Sequence, residues 1–221
     1  MCFSAEADFV SGAVIGVIGV VTLTKVEKPR ELALGMLPLA FALHQIVEGF
    51  VWKSLSDPAP HTGDGVAVYM YVVFAWVVLP ILAPLAILLV ERDRRRRNAM
   101  WIFVALGGVA GVYLLGAVMT NDITAHIAEH TIQYGGAGRF ADIVTGLYVI
   151  ATCGAPLLSS YRQIRWFGVA NVLAVAVIAG IQAEGLTSVW CAWAAVVSVL
   201  IYAQFVAWRR SDREPLSMAV A

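Results

Sequence analysis

Long apolar stretches, separated by short polar connections, recur along the whole chain. A helix needs about 20 apolar residues to cross the hydrocarbon core of a bilayer, where an open strand cannot satisfy its backbone hydrogen bonds. Stretches that are long enough, or nearly so, lie at residues 9–25, 32–52, 65–91, 99–119, 141–161, 164–183 and 187–208. The pattern predicts an all-α bundle of seven transmembrane helices that forms a single membrane domain, residues 1–221.

The positions of the basic residues predict how this bundle is oriented. Lys and Arg are concentrated in cytoplasmic connections of membrane proteins. Only Lys53 and Arg139 fall in the alternate connections. The other thirteen of the fifteen basic residues are Lys25, Lys28, Arg30, Arg92, Arg94, Arg95, Arg96, Arg97, Arg162, Arg165, Arg209, Arg210 and Arg213. We therefore expect the N-terminus outside and the C-terminus in the cytoplasm, with the acidic Glu6 and Asp8 on the outer side.

Composition supports a membrane protein and excludes an ordinary soluble domain. Hydrophobic residues make up 60% of the chain and the mean hydropathy is +0.80, values that soluble domains rarely approach. The formal net charge of zero argues neither for nor against nucleic acid. We expect membrane lipids as partners and no nucleic acid, and the pattern leaves the oligomeric state open. The first stretch lacks the basic n-region of a signal peptide and is predicted to be a helix of the bundle.

Two sets of residues indicate how the helices pack. Gly107 and Gly111 form a small-xxx-small pair, which lets another helix approach closely. Pro80 and Pro84 are expected to break or kink the third helix and to free backbone carbonyls that a neighbour must cover. A packing role is the simpler interpretation of these prolines, although kinks also occur in transporters.

A polar pair lies at membrane depth in the second predicted helix. His44 and Glu48 are four residues apart and therefore share a helix face. Ionisable groups at this depth face the interior of a bundle or a wet cavity, and they mark candidate functional sites. The alternative is a self-satisfied pair in which each group meets the hydrogen-bonding needs of the other.

The long outer connection, residues 120–140, contains a second polar motif. If its first half is a short helix, His126 and His130 face the same way at a spacing that suits two imidazole ligands on one zinc. The string His-Ile-Ala-Glu-His also matches the H-x-x-E-H pattern of inverted zincins, with Glu129 as the base. Those enzymes are large soluble proteins, so the context opposes this interpretation. His126 alone is expected to be a solvated loop residue.

Two cysteines are placed near the same outer end. Cys2 begins the chain after Met1, and Cys191 lies about four residues into the seventh predicted helix, whereas Cys153 is predicted to be a small buried hydrophobe. Cys2 and Cys191 could form a disulfide in an oxidising compartment, ligate a metal as thiolates, or remain unconnected thiols. The sequence leaves these three alternatives open.

Four motifs in order resemble an uncharacterised family of bacterial integral membrane proteins whose members begin Met-Cys-(Phe/Trp)-Ser-Ala. They are the opening Met-Cys-Phe-Ser-Ala, His44-Gln-Ile-Val-Glu48-Gly-Phe-Val-Trp52, His130-Thr-Ile-Gln-Tyr134 and Thr-Ser-Val-Trp190-Cys191-Ala-Trp-Ala-Ala. The resemblance runs nearly end to end and implies a multi-pass protein of the bacterial inner membrane with no assigned activity. Members often carry Gly where this chain has Glu129, which further weakens the inverted-zincin interpretation.

A weaker similarity is architectural. Seven helices with an outer N-terminus and grouped histidines resemble the zinc-dependent membrane hydrolases that include alkaline ceramidases and adiponectin-receptor-like proteins. Those proteins carry a His pair in the final helix, where this chain has none. The analogy therefore rests on architecture alone.

Three function classes follow from the outer polar residues. The first is a membrane hydrolase in which some of Cys2, His44, His130 and Cys191 hold zinc or another transition metal. Glu48 would be the catalytic base acting on a lipid amide or ester, unless it is itself a ligand. Tyr134, Ser188 and Trp190 would then support the ligands. The second class is a transporter, or a receptor for a metal or small ligand. The third is a structural membrane protein locked by a Cys2–Cys191 disulfide.

Overall fold

The computed structural model describes residues 4–56, 64–128, 131–181 and 186–218; no side chain is described at 64, 178–181, 186–192 or 211–218. Within these ranges the chain is mostly helical. The α-helices are α1 (Ala5–Leu23), α2 (Leu32–Ser56), α3 (Asp64–Val72), α4 (Leu79–Val90), α5 (Arg94–Thr120), α6 (Ala141–Leu158), α7 (Arg162–Ile181) and α8 (Leu186–Met218). A short 3₁₀ helix (Pro29–Glu31) leads into α2.

The described helices match the predicted apolar stretches one for one, because α3 and α4 belong to one continuous helix. Five helical segments of the described chain are long and apolar enough to cross a membrane by length and composition: Ala5–Leu23, Pro29–Ser56, Gly65–Val90, Arg94–Thr120 and Ala141–Leu158. The helices α7 and α8 occupy the last two predicted stretches. A mostly helical protein with helices suited to a membrane is thereby confirmed.

A π-helical turn (Val73–Val78) joins α3 to α4 immediately before Pro80. Proline has no N–H to continue the α-helical pattern, and the wider turn absorbs this loss, with the N–H of Leu79 donating to the carbonyl of Phe74. The predicted break at Pro80 is therefore a π turn inside a continuous helix. Such turns are rare and occur often near functional sites.

Pro84 and Gly107 explain how α4 and α5 pack. Because Pro84 has no N–H, it cannot donate to the carbonyl of Pro80 one turn earlier. That carbonyl lies against Gly107 of α5, so closely that a Cβ on Gly107 would meet the Pro80 oxygen at 1.8 Å. Gly111 lies one turn further along α5, against the carbonyl of Val77. Gly107 thus covers the carbonyl that Pro84 leaves free, and Gly111 lets the same two helices stay in close contact one turn away.

The outer connection is not helical at the predicted place, so the all-α prediction is wrong there. Strands β1 (Thr124–Ala128) and β2 (Thr131–Gly135) form an antiparallel hairpin, with His126 opposite Gln133 and Ala128 opposite Thr131. Threonine, isoleucine and tyrosine favour strands, and Ile132 of β2 is fully buried. A helix through His126 is therefore excluded for the described part of this connection.

Two glycines turn the chain from the hairpin into α6. Gly136 and Gly138 have φ values of 103° and 86°, a region that side chains with a Cβ rarely adopt. The side chain of Asn121 donates to the carbonyl of Gly136 over 2.9 Å. The Tyr113 hydroxyl accepts from the N–H of Phe140 over 3.1 Å. These contacts fix the hairpin to the end of α5.

The described core has a large central cluster, a smaller one beneath the hairpin, and a third small cluster between α5 and α6. The central cluster draws on α1, α2 and α4 to α8. The smaller cluster consists of Val51, Trp52, Val68, Tyr71, Val72, Ala75 and Ile132, with Ala5, Val118 and Tyr134 among its partly buried neighbours. We call this end of the bundle the hairpin end.

The opposite end, which we call the basic end, holds the connections after α1, α4 and α6 and the residues Arg209 and Arg210 of α8. There the buried Arg209 forms an ion pair with the buried Glu31 and lies 3.2 Å from the carboxylate of Glu27. Its Nε also donates to the carbonyl of Lys25 over 2.7 Å. The end of α8 is thus bound to the first connection.

A second buried glutamate joins two further connections at the basic end. Glu91 accepts hydrogen bonds from the hydroxyls of Ser159 and Ser160 and from the N–H groups of Ser160 and Asp93. Burial alone acts to raise the pKa of the Glu91 carboxyl, but these hydrogen bonds outweigh it and hold the pKa below its ordinary value. The carboxylate therefore fastens the start of α5 to the end of α6.

Candidate functional site

The polar face of α2 is buried at the hairpin end. His44 is 8% exposed and Glu48 is fully buried, and their spacing puts them on one face of the helix as predicted. Gln45 is buried on the side that faces α1, where its amide donates to the carboxylate of Asp8. The second helix therefore presents polar groups both to α1 and to the third long helix.

The ring of His44 lies between aromatic side chains. It stacks on Tyr71 with ring centroids 4.0 Å apart and an interplanar angle of 17°, and Phe74 approaches it at 4.8 Å. Both partners flank the start of the π turn, which aligns Tyr71 and Phe74 with the same face of α2. No hydrogen bond joins the His44 ring to another described residue. Buried polar groups normally have a hydrogen-bond partner, and the described part of the chain supplies none for this imidazole.

A second stacked pair connects this ring system to the hairpin. Tyr134 of β2 stacks on Tyr71 with centroids 4.5 Å apart and an interplanar angle of 11°. Tyr71 is fully buried between His44 and Tyr134. Side chains from α2, α3 and β2 are therefore assembled into one stack at the hairpin end.

The structure partly places the other predicted ligands. Cys2 and His130 lie outside the described residues, as do the side chains of Ser188, Trp190 and Cys191. Among the described residues, no three His, Cys, Asp or Glu side chains converge in a group that could hold a metal. Cys153 is buried in α6, as predicted.

Backbone contacts nevertheless bring the predicted segments to the same end of the bundle. Strand β2 begins at Thr131, directly after His130, and contacts α8, the helix that carries Cys191. Ser4, two residues after Cys2, caps the N-terminus of α1 by accepting from the N–H of Ala7. Ala5 then packs against the cluster beneath the hairpin.

His126 plays no part in this assembly. It lies on β1, and its ring Nε2 forms a 2.9 Å hydrogen bond with the side chain of Gln133 across the hairpin. His126 is exposed, as expected, but it lies on a strand and not in a loop. The short helix on which a pairing with His130 depended is wrong, because β1 occupies this segment.

The sequence did not predict the contacts of three residues at the hairpin end. Asp8 was expected on the outer side without a partner being assigned, and the structure buries it against Gln45. The signal was present, since Gln45 is a polar residue inside an apolar stretch. Tyr71 had no such signal, because a tyrosine in an apolar stretch gives no indication of the ring on which it stacks.

The fold and the polar groups together define a helical bundle, suited to a membrane, with buried ionisable groups at both ends. The chain belongs to a family of unknown function, DUF6629, whose model matches residues 1–217. The expected membership of an uncharacterised family is thereby confirmed. Neither the curated proteins nor the solved structures include a significant match.

Proposed function

We propose that the protein is a metal-dependent hydrolase of the bacterial inner membrane that cleaves a lipid amide or ester at the outer leaflet. Its N-terminus is outside and its C-terminus is cytoplasmic. The observation that carries the proposal is the state of the His44 imidazole. The residue is only 8% exposed, and its ring has no hydrogen bond to a described residue. A metal ion would supply the missing partner for its nitrogen.

The orientation is supported by the distribution of charge. The basic end joins the connections in which most Lys and Arg residues lie, and this distribution is typical of a cytoplasmic face. The hairpin end is then the outer end. Exposed apolar side chains such as Val14, Val17 and Val112 cover the helices between the two ends, as expected for surfaces that face lipid.

Four segments of the chain carry candidate metal ligands, and three of them would bind the metal so that one coordination position stays open for water. His44 offers an imidazole from α2, and His130 offers another from directly before β2. Cys2 and Cys191 offer thiolates from the segment before α1 and from α8. Zinc accepts nitrogen and sulfur ligands together, and the contacts of β2 with α8 and of Ala5 with the cluster beneath the hairpin support their convergence.

Glu48 is the proposed general base. It lies one helical turn from His44 on the same face of α2 and is fully buried, which supports a role beside a metal bound to His44. A bound zinc ion would lower the pKa of its water ligand toward 7. Glu48 would accept the proton of that water, while Tyr134, Ser188 and Trp190 would support the ligands.

Metal content tests the proposal. Detergent-purified wild-type protein should contain about one zinc or other transition-metal ion per chain, as a site with one set of ligands requires. The variants His44→Ala and His130→Ala should lose it. His126→Ala is the matched control, because this histidine is four residues from His130 in the sequence and bonds to Gln133, and it should keep the metal.

Thiol and activity measurements on the same samples separate the alternatives. Glu48→Gln should keep the metal and lower the hydrolysis of lipid amides and esters by about 100-fold or more, the usual contribution of a general base. A stoichiometric metal without hydrolysis in the wild type would instead favour metal capture by a transporter or receptor. No metal, together with Cys2 and Cys191 oxidised to each other, would contradict the proposal and favour a structural protein.

A further inference from the structure

Two arginines converge on one carbonyl oxygen at the basic end. Arg96 of α5 donates from Nη1 to the carbonyl of Leu158 over 2.9 Å and to that of Ser159 over 3.4 Å. Arg165 of α7 donates from its own Nη1 to the same Ser159 oxygen, also over 3.4 Å. Two guanidinium groups are therefore held close together although their charges repel each other.

Within the described chain, the ion pairs belong to Arg209 and none joins a carboxylate directly to either guanidinium. The carboxylate of Asp93 accepts from the backbone N–H of Arg96, and the Arg96 charge is one of the causes that hold the pKa of Asp93 low. Glu91 is near, but it accepts from Ser159, Ser160 and Asp93 and not from these arginines. The carbonyls at the end of α6 offer only the partial negative charge of a helix C-terminus. Each guanidinium has five N–H donors, and most of them remain available to a ligand.

The pair lies beside exposed tryptophans. Trp166 follows Arg165 directly and is 59% exposed, and Trp101 of α5 is 54% exposed. Exposed tryptophans at the ends of membrane helices mark the depth of the lipid headgroups. If the protein occupies the membrane as proposed, both guanidinium groups lie at the depth of lipid phosphates.

We propose that Arg96 and Arg165 form a binding site for a phosphate group, supplied by the headgroup of an anionic phospholipid. The planar guanidinium donates in pairs to phosphate oxygens, and basic pockets between membrane helices bind anionic headgroups in this way. The phosphate charge relieves the repulsion between the two arginines. The site is independent of the proposed metal site and rests only on the membrane placement.

The test compares two double variants that remove the same charge. Arg96→Gln/Arg165→Gln removes the converging pair, and Arg94→Gln/Arg95→Gln removes two exposed arginines of the same connection. Native mass spectrometry of the full-length protein in detergent, titrated with phosphatidylglycerol, gives the affinity for the lipid. Arg96→Gln/Arg165→Gln should bind phosphatidylglycerol about 30-fold more weakly than the wild type. The control variant should bind it less than about threefold more weakly, because the charges of exposed arginines are screened by solvent and salt.

Equal weakening in the two double variants would overturn the proposal, because the lipid would then respond to overall charge alone. Glycerol phosphate serves as a soluble probe in a parallel titration. Binding of phosphatidylglycerol alone would assign the site to a lipid. Binding of glycerol phosphate with the same dependence on Arg96 and Arg165 would support the phosphate site and assign it to a soluble ligand.

Two controls keep a folding defect apart from a loss of binding. Melting in micelles without anionic lipid reports whether each variant folds. If Arg96→Gln/Arg165→Gln fails to fold, Arg96→Lys/Arg165→Lys takes its place, since lysine keeps the charge but lacks the planar fork. We expect about fivefold weaker binding for this lysine pair, and unchanged binding would overturn the proposal. Wild-type metal content in these variants would show that the two sites are separate.

Discussion

Replacement of Gly107 by alanine tests the packing of the third long helix against α5. The added Cβ would meet the carbonyl oxygen of Pro80 at 1.8 Å, whereas real Cβ contacts are essentially never shorter than 3.0 Å. The two helices must therefore separate by about 1.2 Å at this point. Because the Cβ position is fixed by the backbone of α5 and the oxygen belongs to the backbone of α4, no side-chain rotation can relieve the overlap.

The cost of this separation can be estimated. Overpacking a tight interior costs about 1–3 kcal/mol, and a contact between two backbones belongs at the upper end. Alanine recovers up to about 1 kcal/mol of helix propensity relative to glycine. The net destabilisation is about 2 kcal/mol, which corresponds to a fall of about 4–8 °C in melting temperature for a chain of this size.

Gly108→Ala is the matched control, because a Cβ on Gly108 meets nothing within 4 Å. Its helix propensity should leave the stability unchanged or raise it by up to about 1 kcal/mol. Thermal melting of both variants in one detergent, followed by circular dichroism, makes the comparison. If the melting temperature of Gly107→Ala equals or exceeds that of Gly108→Ala, the close contact between Gly107 and the Pro80 carbonyl is refuted.

Three further predictions concern the two ends of the bundle. Arg209→Ala should destabilise the protein by about 3–5 kcal/mol because it leaves the buried Glu31 without its ion-pair partner, whereas melting of the exposed Arg210→Ala should change little. Tyr71→Leu should weaken metal binding by about tenfold or more in a competitive chelator titration, since the stack that orients His44 is lost; the exposed Tyr69→Leu should bind as wild type, and equal affinities would contradict this role. Glu91 has a lowered pKa, so its stabilisation is present above the ordinary carboxyl pKa and is lost as the pH falls through the folded-state pKa. Denaturant unfolding should therefore show Glu91→Gln less stable than wild type at pH 7, with the difference shrinking below about pH 4.5; a pH-independent difference would contradict it.

Much of the fold is predictable because apolar length is a strong signal. Each long helix coincides with a predicted stretch, and Gly107 and Gly111 lie where their spacing indicated. The hairpin was missed because its strands are only five residues each, and a spacing of four between His126 and His130 also fits a helix. Ile132 is buried against residues of α2 and α3, and this burial favours the strand. A contact between distant parts of the chain cannot be predicted from the local sequence.

The candidate site was predictable only in part, for a related reason. His44 and Glu48 stand out because ionisable residues are rare in apolar stretches. Hydropathy does not reveal how a helix is rotated, so neither the stack of Tyr71 on His44 nor the hydrogen bond of Gln45 to Asp8 could be predicted. The burial of Glu31 and Glu91 at the basic end could not be predicted either, because both lie in polar connections whose composition is typical of solvent-exposed segments.

X-ray absorption at the metal edge of the detergent-purified protein tests the central claim most directly. The proposed site predicts a bound transition metal with sulfur ligands at about 2.3 Å and imidazole nitrogens at about 2.0 Å, the distances of zinc sites. Cys191→Ser should reduce the sulfur contribution, and His44→Ala should reduce the nitrogen contribution. An absorption edge no stronger than that of the buffer, or an oxygen-only spectrum that both substitutions leave unchanged, would contradict a metal site at the hairpin end.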